Sequence, residues 1–181
     1  MEAYRMRPAA PQDVAQLAAI KSSYIRSLYR GFLPEDYLRE ASAEFYLPEV
    51  SWLMKDQRSR VDVLEDDGHM IGFIVYGADP SDPGYGLIRE QAIEPIYGRR
   101  EKDQLARHAI SSLEAMGYPA IHLWVLRDNF RARFLIESIG FRADGMVRVE
   151  ARDHLELHIS RYVYRMPVSG SGLRQEAGRV F

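Results

Sequence analysis

Residues 60–77, RVDVLEDDGHMIGFIVYG, contain two strand-forming runs on either side of a tight-turn signal. In the first run Val61 and Val63 alternate with polar residues, which is the period of a strand with one buried face. Asp67-Gly68 is a dipeptide that favours a two-residue hairpin turn. MIGFIVYG then forms the return run. The segment predicts an antiparallel hairpin and is the clearest element in the chain.

Before the hairpin, the sequence predicts one short strand and at least two helices. The strand covers Tyr4 to Pro8, and Pro11 with Asp13 marks the start of the first helix. Pro34 opens a second short helix, and residues 45–56 are either a third helix or a loop. The first helix has one apolar face at helical spacing, formed by Val14, Leu17, Ala18, Ile25 and Leu28.

After the hairpin, strands and helices alternate. LIREQAI (87–93) is predicted to be a strand stopped by Pro95, and residues 100–116 a helix ended by Gly117. A strand at 121–126, a short helix at 129–139 and strands at about 141–150 and 155–166 follow, with the turn-like ARDH between the last two. Asn129 is expected to cap its helix. Residues 167–181 are rich in Gly and Ser and are expected to be an extended or mobile tail.

Composition restricts the function classes. Of 181 residues, 46% are hydrophobic and 28% charged, which is typical of a soluble globular domain. The absence of cysteine excludes disulfides and thiol catalysis, and no spacing suggests a metal site. With no long apolar run and no signal-like N-terminus, we expect a cytoplasmic protein that does not span a membrane. The net charge of −2 gives no global attraction to nucleic acid.

The order of these elements resembles the GNAT N-acetyltransferase superfamily. MRPAAPQDVAQLAAI is similar to the opening strand and helix of that family, and LWVLRDNFRARFLIESIGF to its last core motif. YRGFLPEDYL resembles a segment that forms part of the acceptor wall in one bacterial subgroup. The resemblance covers about residues 4–166. It implies an α/β fold with a central mixed, mostly antiparallel sheet of about seven strands flanked by helices, in a single domain over residues 1–166.

The same resemblance implies acetyl-CoA or another acyl-CoA as donor and the amine of a small molecule as acceptor. The donor's pantetheine arm would lie between two splayed strands, and its pyrophosphate at the start of the following helix, where unpaired N–H groups and the helix dipole favour anions. The residues implied for the donor are Ala92, Ile93, Gly98, Arg99, Arg100, Lys102, Asn129 and Ala132. Those implied for the acceptor are Tyr24, Tyr29, Arg30, Phe32 and Trp124; for the aromatic residues around the first helix, ordinary core packing is the other interpretation.

The pyrophosphate loop departs from the family pattern. In IEPIYGRREKDQLARH, the positions of two family glycines hold Glu101 and Asp103. Two carboxylates would repel a diphosphate, whereas Arg99, Arg100 and Lys102 are expected to offset that repulsion as side-chain ligands. Alternatively, RREKD is only a solvated helix start whose acids favour the dipole.

Two catalytic positions also depart. Ile136 stands where many relatives have a tyrosine that is proposed to protonate the departing thiolate, and isoleucine has no proton to give. Leu87 stands where some relatives place a glutamate as general base. These changes put the dependence on acetyl-CoA in question.

Polar residues appear where relatives are mostly apolar. Arg89, Glu90 and Gln91 lie within the LIREQAI strand, and alternation predicts that Arg89 and Gln91 share one face and Glu90 takes the other. They are either a rebuilt reaction centre or a structural ion pair. His158, in the last strand, is a further candidate base, although such a residue is more often solvent-facing.

Three functions are compatible with the sequence. The first is acyl transfer from CoA to a small-molecule amine. The second is acyl transfer from another donor, such as a carrier-bound acyl group or an aminoacyl-tRNA, for which GRREK and RDNFRAR supply positive charge. Nucleic acid is otherwise not expected as a partner. The third is a non-catalytic binding or regulatory module. A homodimer is a further expectation from the resemblance.

Overall fold

A computed structural model of the chain describes residues 4–31, 33–152 and 155–167. The N-terminal part begins with β1 (Arg5–Pro8) and a single 3₁₀ turn (Pro11–Asp13). The helices α1 (Val14–Leu28), α2 (Glu35–Glu40) and α3 (Ala43–Leu53) follow. The hairpin consists of β2 (Ser59–Asp66) and β3 (His69–Ala78). Asp67 and Gly68 both have positive φ, which is why the turn needs this dipeptide.

The second part alternates strand and helix, as the sequence predicts. Its elements are β4 (Gly86–Ile93), α4 (Arg99–Ala115), β5 (Ala120–Leu126), α5 (Phe130–Ile139), β6 (Arg142–Arg152) and β7 (Leu155–Arg165). Gly117 follows α4 at φ +89° and lets the chain leave the helix in a left-handed conformation. The Asn129 side chain accepts a hydrogen bond from Ala132 N at 3.1 Å, which confirms the predicted cap of α5.

The seven strands form one sheet in the order β1-β2-β3-β4-β5-β7-β6. Among the described strand pairs, β4 and β5 run parallel and the others antiparallel. This is the predicted mixed, mostly antiparallel sheet of seven strands flanked by helices.

Helices cover the two faces of the sheet with separate cores. On one face α1 and α3 pack on β2, β3 and β4, with Leu17, Tyr46, Phe73 and Val75 in that core. On the other face α4 and α5 pack over the middle of the sheet through residues such as Leu105, Leu135 and Phe141. Four residues of the apolar stripe predicted for α1, Val14, Leu17, Ala18 and Ile25, belong to this core, and the helix packs against α3, β3 and β4.

The structure resolves one alternative that the sequence left open. Residues 45–56, left open as helix or loop, contain most of α3, whose start is capped by the Ser42 side chain accepting from Phe45 N. Phe32, Asp153, His154 and the tail from residue 168 onward lie outside the described residues, so the predictions made for them stay predictions. No helix in the described ranges combines the length and apolarity that a bilayer crossing requires.

Candidate functional site

The sheet opens between its two parallel strands. β4 and β5 are paired at only three positions, Gly86–Ile88 against Ile121–Leu123, although β4 continues to Ile93 and β5 to Leu126. Beyond the pairing the two strands leave a gap, called the β4–β5 opening below. The next elements in the chain, α4 and α5, both begin just past the carboxyl ends of these strands, so two helix N-termini border the opening.

The backbone of β4 presents unpaired groups to this opening. Glu94 N donates to Ile71 O at 2.8 Å, so Glu94 faces β3. Because backbone groups alternate along a strand, the N–H and C=O of Ile93 and Gln91 face the opening, whereas those of Ala92 face β3. Of the two residues predicted to pair with a pantetheine arm, Ile93 has the required orientation. The prediction for Ala92 does not fit this geometry, because its amide is turned to the neighbouring strand.

A β-bulge lies in β4 beside the opening. Val75 pairs with Glu90 and Tyr76 with Ile88, so Arg89 is the extra residue in β4. The bulge breaks the alternation: Arg89 and Glu90 both face α1 and α3, and Gln91 faces α4. Arg89 lies over the Trp52 ring at 5.7 Å, and Gln91 Nε2 donates to Lys102 O at 2.7 Å. The prediction that Arg89 and Gln91 share a face is therefore wrong.

A partly buried ion-pair cluster, with Lys21 at its centre, surrounds Glu90. Lys21 Nζ lies 2.8 Å from Glu90 Oε2 and 3.0 Å from Glu49 Oε2, and Lys21 is only 6% exposed. Burial raises the pKa of Glu90, the charge of Lys21 opposes that rise, and Glu49 adds to it. The carboxylate is thus held in one orientation by a cation but remains a stronger base than an exposed glutamate.

Sequence reasoning missed Lys21, although the sequence contained a signal. Lys21 lies on the apolar face of α1, three residues after Ala18 and four before Ile25. A lysine at such a position needs a buried carboxylate partner. Glu49, on α3, offered no comparable signal.

Tyr24 joins this cluster to the opening. Burial, with a further contribution from the charge of Glu90, raises the pKa of Tyr24 to about 12. Lys102 Nζ lies 5.2 Å from the centre of the Tyr24 ring. Tyr24, predicted on the acceptor side, therefore stands between the buried carboxylate and a cation of α4. Tyr29 and Arg30 lie past the end of α1, and Arg30 is exposed.

Glu101 is part of the helix cap of α4. Its Oε2 accepts from Gly98 N at 2.9 Å and its Oε1 from Tyr4 Oη at 2.7 Å, and the residue is 8% exposed. Burial alone would raise the pKa of Glu101, but the hydrogen bonds from Tyr4 and from the backbone bring it below its ordinary value. Asp103 pairs with Arg107 one turn along α4, with Nε to Oδ2 at 2.6 Å. Both carboxylates therefore have partners within the protein. Gly98, predicted to bind the donor, already donates its amide hydrogen to Glu101.

The three cations at the start of α4 point in different directions. Arg99 contacts α5, with NH2 3.0 Å from Ser138 Oγ and its guanidinium 5.1 Å from the Phe134 ring centre. Arg100 lies over the Tyr4 ring at 5.2 Å, on the β1 side. Lys102 alone reaches Tyr24. The predicted joint set of phosphate ligands is therefore not assembled: Arg99 borders α5, Lys102 extends into the opening, and Arg100 points elsewhere.

Ile136 lies away from the Glu90 cluster, and so does His158, the candidate base of the last strand. Ile136 is 7% exposed and packs in the core beneath α4 and α5. Trp124 shares a sheet face with Glu90 and has the Arg148 guanidinium 4.5 Å from its ring centre. His158 lies one residue before Ile159, which pairs with Leu126 on the Trp124 face, so His158 faces the opposite side of the sheet. The structure does not bring His158 to Glu90.

Comparisons with known proteins agree with this architecture. A family model described as the acetyltransferase (GNAT) family matches residues 22–141. A PaiA N-acetyltransferase from Thermoplasma acidophilum, solved in complex with coenzyme A, superposes with a TM-score of 0.68 at 18% identity over 91% of this chain and 99% of that chain. A GCN5-related N-acetyltransferase from Rhodopseudomonas palustris gives 0.71 at 20% identity, over 92% and 98% of the two chains.

A third solved structure, the ribosomal-protein-S18-alanine N-acetyltransferase from Escherichia coli, gives a TM-score of 0.67 at 18% identity, over 94% of this chain and 99% of that chain. No curated protein matches the chain significantly. At these identities the solved structures show the fold alone. The family model, however, spans more than half of the sequence, and the chain therefore belongs to the acetyltransferase (GNAT) family.

Proposed function

We propose that this chain transfers an acyl group, acetyl in the simplest case, from CoA to the amine of a small molecule. The observation that carries the proposal is the position of Glu90: a partly buried carboxylate of raised pKa lies at the bulge of β4, next to the β4–β5 opening. Groups whose pKa is shifted by burial and by a charged partner beside a cleft are concentrated at functional sites, which supports the proposal.

The opening has features that fit a CoA thioester. A pantetheine arm carries amide groups, and the backbone of Ile93 and Gln91 offers them unpaired partners along β4. Phosphates need positive charge, and the starts of α4 and α5 supply Arg99 and Arg131 together with the positive ends of two helix dipoles. The T. acidophilum relative of the same fold binds coenzyme A, which supports this donor.

Glu90 would act as the general base. A protonated amine must lose a proton before its nitrogen attacks the thioester carbonyl, and Glu90 Oε1 or Oε2 accepts it directly or through one water. Lys21 fixes the carboxylate and keeps it ionised, while burial keeps it basic. Tyr24, neutral at physiological pH, forms the wall beside it, and Trp124 lies on the same sheet face. Positioning of the amine against the carbonyl supplies much of the remaining rate.

The amine that the protein acylates is proposed only as a class, a small molecule. The same cations also fit other phosphorylated donors. Arg127 and Arg131 are exposed at the start of α5, and they would equally contact the 3′ end of an aminoacyl-tRNA or a phosphopantetheine carrier. This second candidate becomes the leading one if free CoA fails to bind.

Calorimetric titration with CoA and acetyl-CoA tests the proposal. We expect binding in the micromolar range and at least tenfold weaker binding when Arg99→Ala and Arg131→Ala are combined. Arg107→Ala is the matched control, since Arg107 lies on the exposed side of α4 and pairs with Asp103. Lack of binding by the unaltered protein at millimolar concentration would overturn the CoA proposal. Equal weakening by the control would place the donor elsewhere.

A panel of small amines, with release of free CoA thiol as the readout, then tests transfer. The expected result is release that depends on one class of amine and is lost in Glu90→Gln. Binding of CoA without release for any amine would favour a binding or regulatory module.

A further inference from the structure

Lys102 is the one residue of the α4 start whose side chain enters the opening. Its backbone carbonyl is fixed by Gln91 Nε2 on the α4 face of the sheet, at 2.7 Å. Its Nζ lies 5.2 Å from the ring centre of Tyr24, which belongs to α1 on the other face. On the β3 side, β4 is fully paired at this level, Ile74 with Gln91. The side chain therefore passes from one face to the other through the β4–β5 opening.

Lys102 has no carboxylate partner among the described residues. The two nearest acids in sequence are engaged elsewhere, Glu101 by Tyr4 and Asp103 by Arg107. The charge that acts on Lys102 is Arg131 at the start of α5, another cation. Burial first, and Arg131 second, lower the pKa of Lys102 below the ordinary lysine value. A partly buried ammonium opposite a second cation is unfavourable unless a ligand places negative charge between them.

The proposed reaction lacks a proton donor for its leaving group. Ile136 stands where the resemblance suggests a hydroxyl, and it is packed in an apolar core. Tyr24 carries a proton, but burial and Glu90 raise its pKa to about 12, which makes it a weak acid. General acids are most effective when their pKa lies near the working pH. Among the described side chains of the opening, Lys102 best meets this condition.

We propose that Lys102 donates the proton to the departing thiol sulfur of the acyl donor. The inference rests on the proposed acyl transfer. In the step, the amine nitrogen forms a bond to the thioester carbonyl carbon, and the electron pair of the C–S bond goes to sulfur. The first proton of the ammonium passes through Glu90 to solvent before the attack. The proton that the nitrogen sheds as the amide forms then goes to the Glu90 carboxylate, and sulfur takes one from Lys102 Nζ. Water then returns a proton to Lys102 and removes one from Glu90.

The groups around Lys102 determine how its pKa responds to a bound ligand. Tyr24 faces it from α1, Arg131 from α5, and Gln91 from β4, with Glu90 beyond Tyr24. A sulfur near Nζ favours the ammonium when ionised as thiolate, so binding of CoA with a free thiol is expected to raise the pKa of Lys102. Phosphates that contact Nζ would also raise the pKa of Lys102, so the experiment must separate the effect of the sulfur from that of the phosphates.

The chain makes this separation possible because it has three lysines, Lys21, Lys55 and Lys102. Reductive methylation with a carbon-13 label gives each a resolvable NMR signal, assigned by Lys→Arg variants. Exposed Lys55 serves as the internal reference. Titrations are run on the full chain alone, with CoA, and with desulfo-CoA, which keeps the phosphates and lacks the sulfur.

Without ligand, Lys102 should titrate below the ordinary lysine value. With CoA its titration should move upward, and with desulfo-CoA it should move clearly less. Equal shifts with both ligands would assign Lys102 to the phosphates and overturn the inference. Binding of CoA with no shift would overturn it too. Failure of CoA to bind at all would instead be the failure of the proposed function.

Kinetics with the fastest amine of the panel give the second readout. Lys102→Met should lower kcat by about 10²-fold with little change in the Kd of CoA. Lys102→Arg should bind CoA as the unaltered protein does but should not recover kcat, because a guanidinium keeps its proton. Lys55→Met is the matched control and should leave kcat unchanged. If Lys102→Arg restores kcat, a charge rather than a proton is needed at this place, and the proton-donor role is excluded.

Discussion

Lys21 Nζ bridges Glu90 Oε2 at 2.8 Å and Glu49 Oε2 at 3.0 Å, so one buried ammonium joins a strand carboxylate to a helix carboxylate. The two acids differ in exposure. The Glu49 side chain is 53% exposed and that of Glu90 is 17% exposed. The pair thus offers one acid that water can reach easily and one that is shielded beside the opening.

Replacement of Glu90 tests its role as base. Glu90→Gln keeps the shape of the side chain and removes the charge, and we expect acyl transfer to fall by about 10²- to 10⁴-fold. Glu49→Gln removes the other partner of Lys21 and should change the rate only slightly. Both are measured as kcat/KM with Tm as a check on folding. Similar losses in the two variants would mean that the cluster is structural.

The pH profile should respond to the cluster in two directions. Burial raises the pKa of Glu90, so transfer should rise with pH through a midpoint above the ordinary glutamate range. Lys21 lowers this pKa and Glu49 raises it. Lys21→Met should therefore move the rising limb to higher pH, and Glu49→Gln to slightly lower pH, less because Glu49 is half exposed. Shifts of the same sign in both variants would contradict the assignment of this limb to Glu90.

The cap of α4 predicts a change in stability at low pH. The lowered pKa of Glu101 means that its ionised form stabilises the fold. This contribution is complete above the pKa of the unfolded chain and is lost as pH falls through the lower folded value. Glu101→Gln should reduce the free energy of unfolding at neutral pH by about 1 kcal/mol, and less in acid. Denaturant unfolding at several pH values measures this, and a constant difference at all pH values would contradict it.

Asp62 binds the buried hydroxyl of Tyr76 on the face of the sheet that packs against α4. Asp62 Oδ2 accepts from Tyr76 Oη and lies 2.6 Å from His108 Nε2, and Tyr76 is 1% exposed. Asp62→Ala leaves the tyrosine hydroxyl without this partner and should lower the free energy of unfolding by roughly 1–3 kcal/mol. Adding Tyr76→Phe should recover part of the loss. If the double variant is no more stable than Asp62→Ala, the hydroxyl is not the origin of the cost.

Gly77 should be intolerant of any side chain. A Cβ at this position would lie 1.9 Å from Arg58 O, a backbone atom that cannot move aside cheaply. Gly77→Ala should cost roughly 1–3 kcal/mol or prevent folding. Gly84→Ala is the control, because its added Cβ would lie 3.6 Å from the nearest atom, Asp82 Oδ1. Thermal unfolding of both variants decides the point.

The elements were predictable where short-range signals set them. Asp67-Gly68 fixes the hairpin, Asn129 caps α5 and Gly117 ends α4, each through chemistry within a few residues. The order of the strands and helices along the chain was then enough to predict the fold. Glu101 also had a local signal, since a glutamate three residues after Gly98 is the spacing of a capping box. Both carboxylate oxygens of Glu101 are taken up by this cap and by Tyr4, which the comparison with a glycine loop does not predict.

The site was less predictable because its contacts join distant residues. Lys21 and Glu90 are 69 positions apart, and no pattern within β4 names the helix that faces it. The predicted faces of Arg89 and Gln91 assumed a regular strand, whereas a bulge is decided by how β3 and β4 align. The path of Lys102 through the opening likewise depends on where β4 and β5 stop pairing.

The bulge at Arg89 also decides which side of the sheet the carboxylate reaches. The pairs Tyr76–Ile88 and Val75–Glu90 are neighbouring rungs of the β3–β4 ladder, so the extra residue is absorbed without moving Glu90 from the side of α1. If β4 continued past Ile88 as a regular strand, Glu90 would pair with Ile74 and its carboxylate would turn into the apolar layer beneath α4. Deletion of Arg89 would keep Glu90 opposite Val75. A local irregularity of the backbone therefore separates a chain with a base beside its opening from one with a charge in its core.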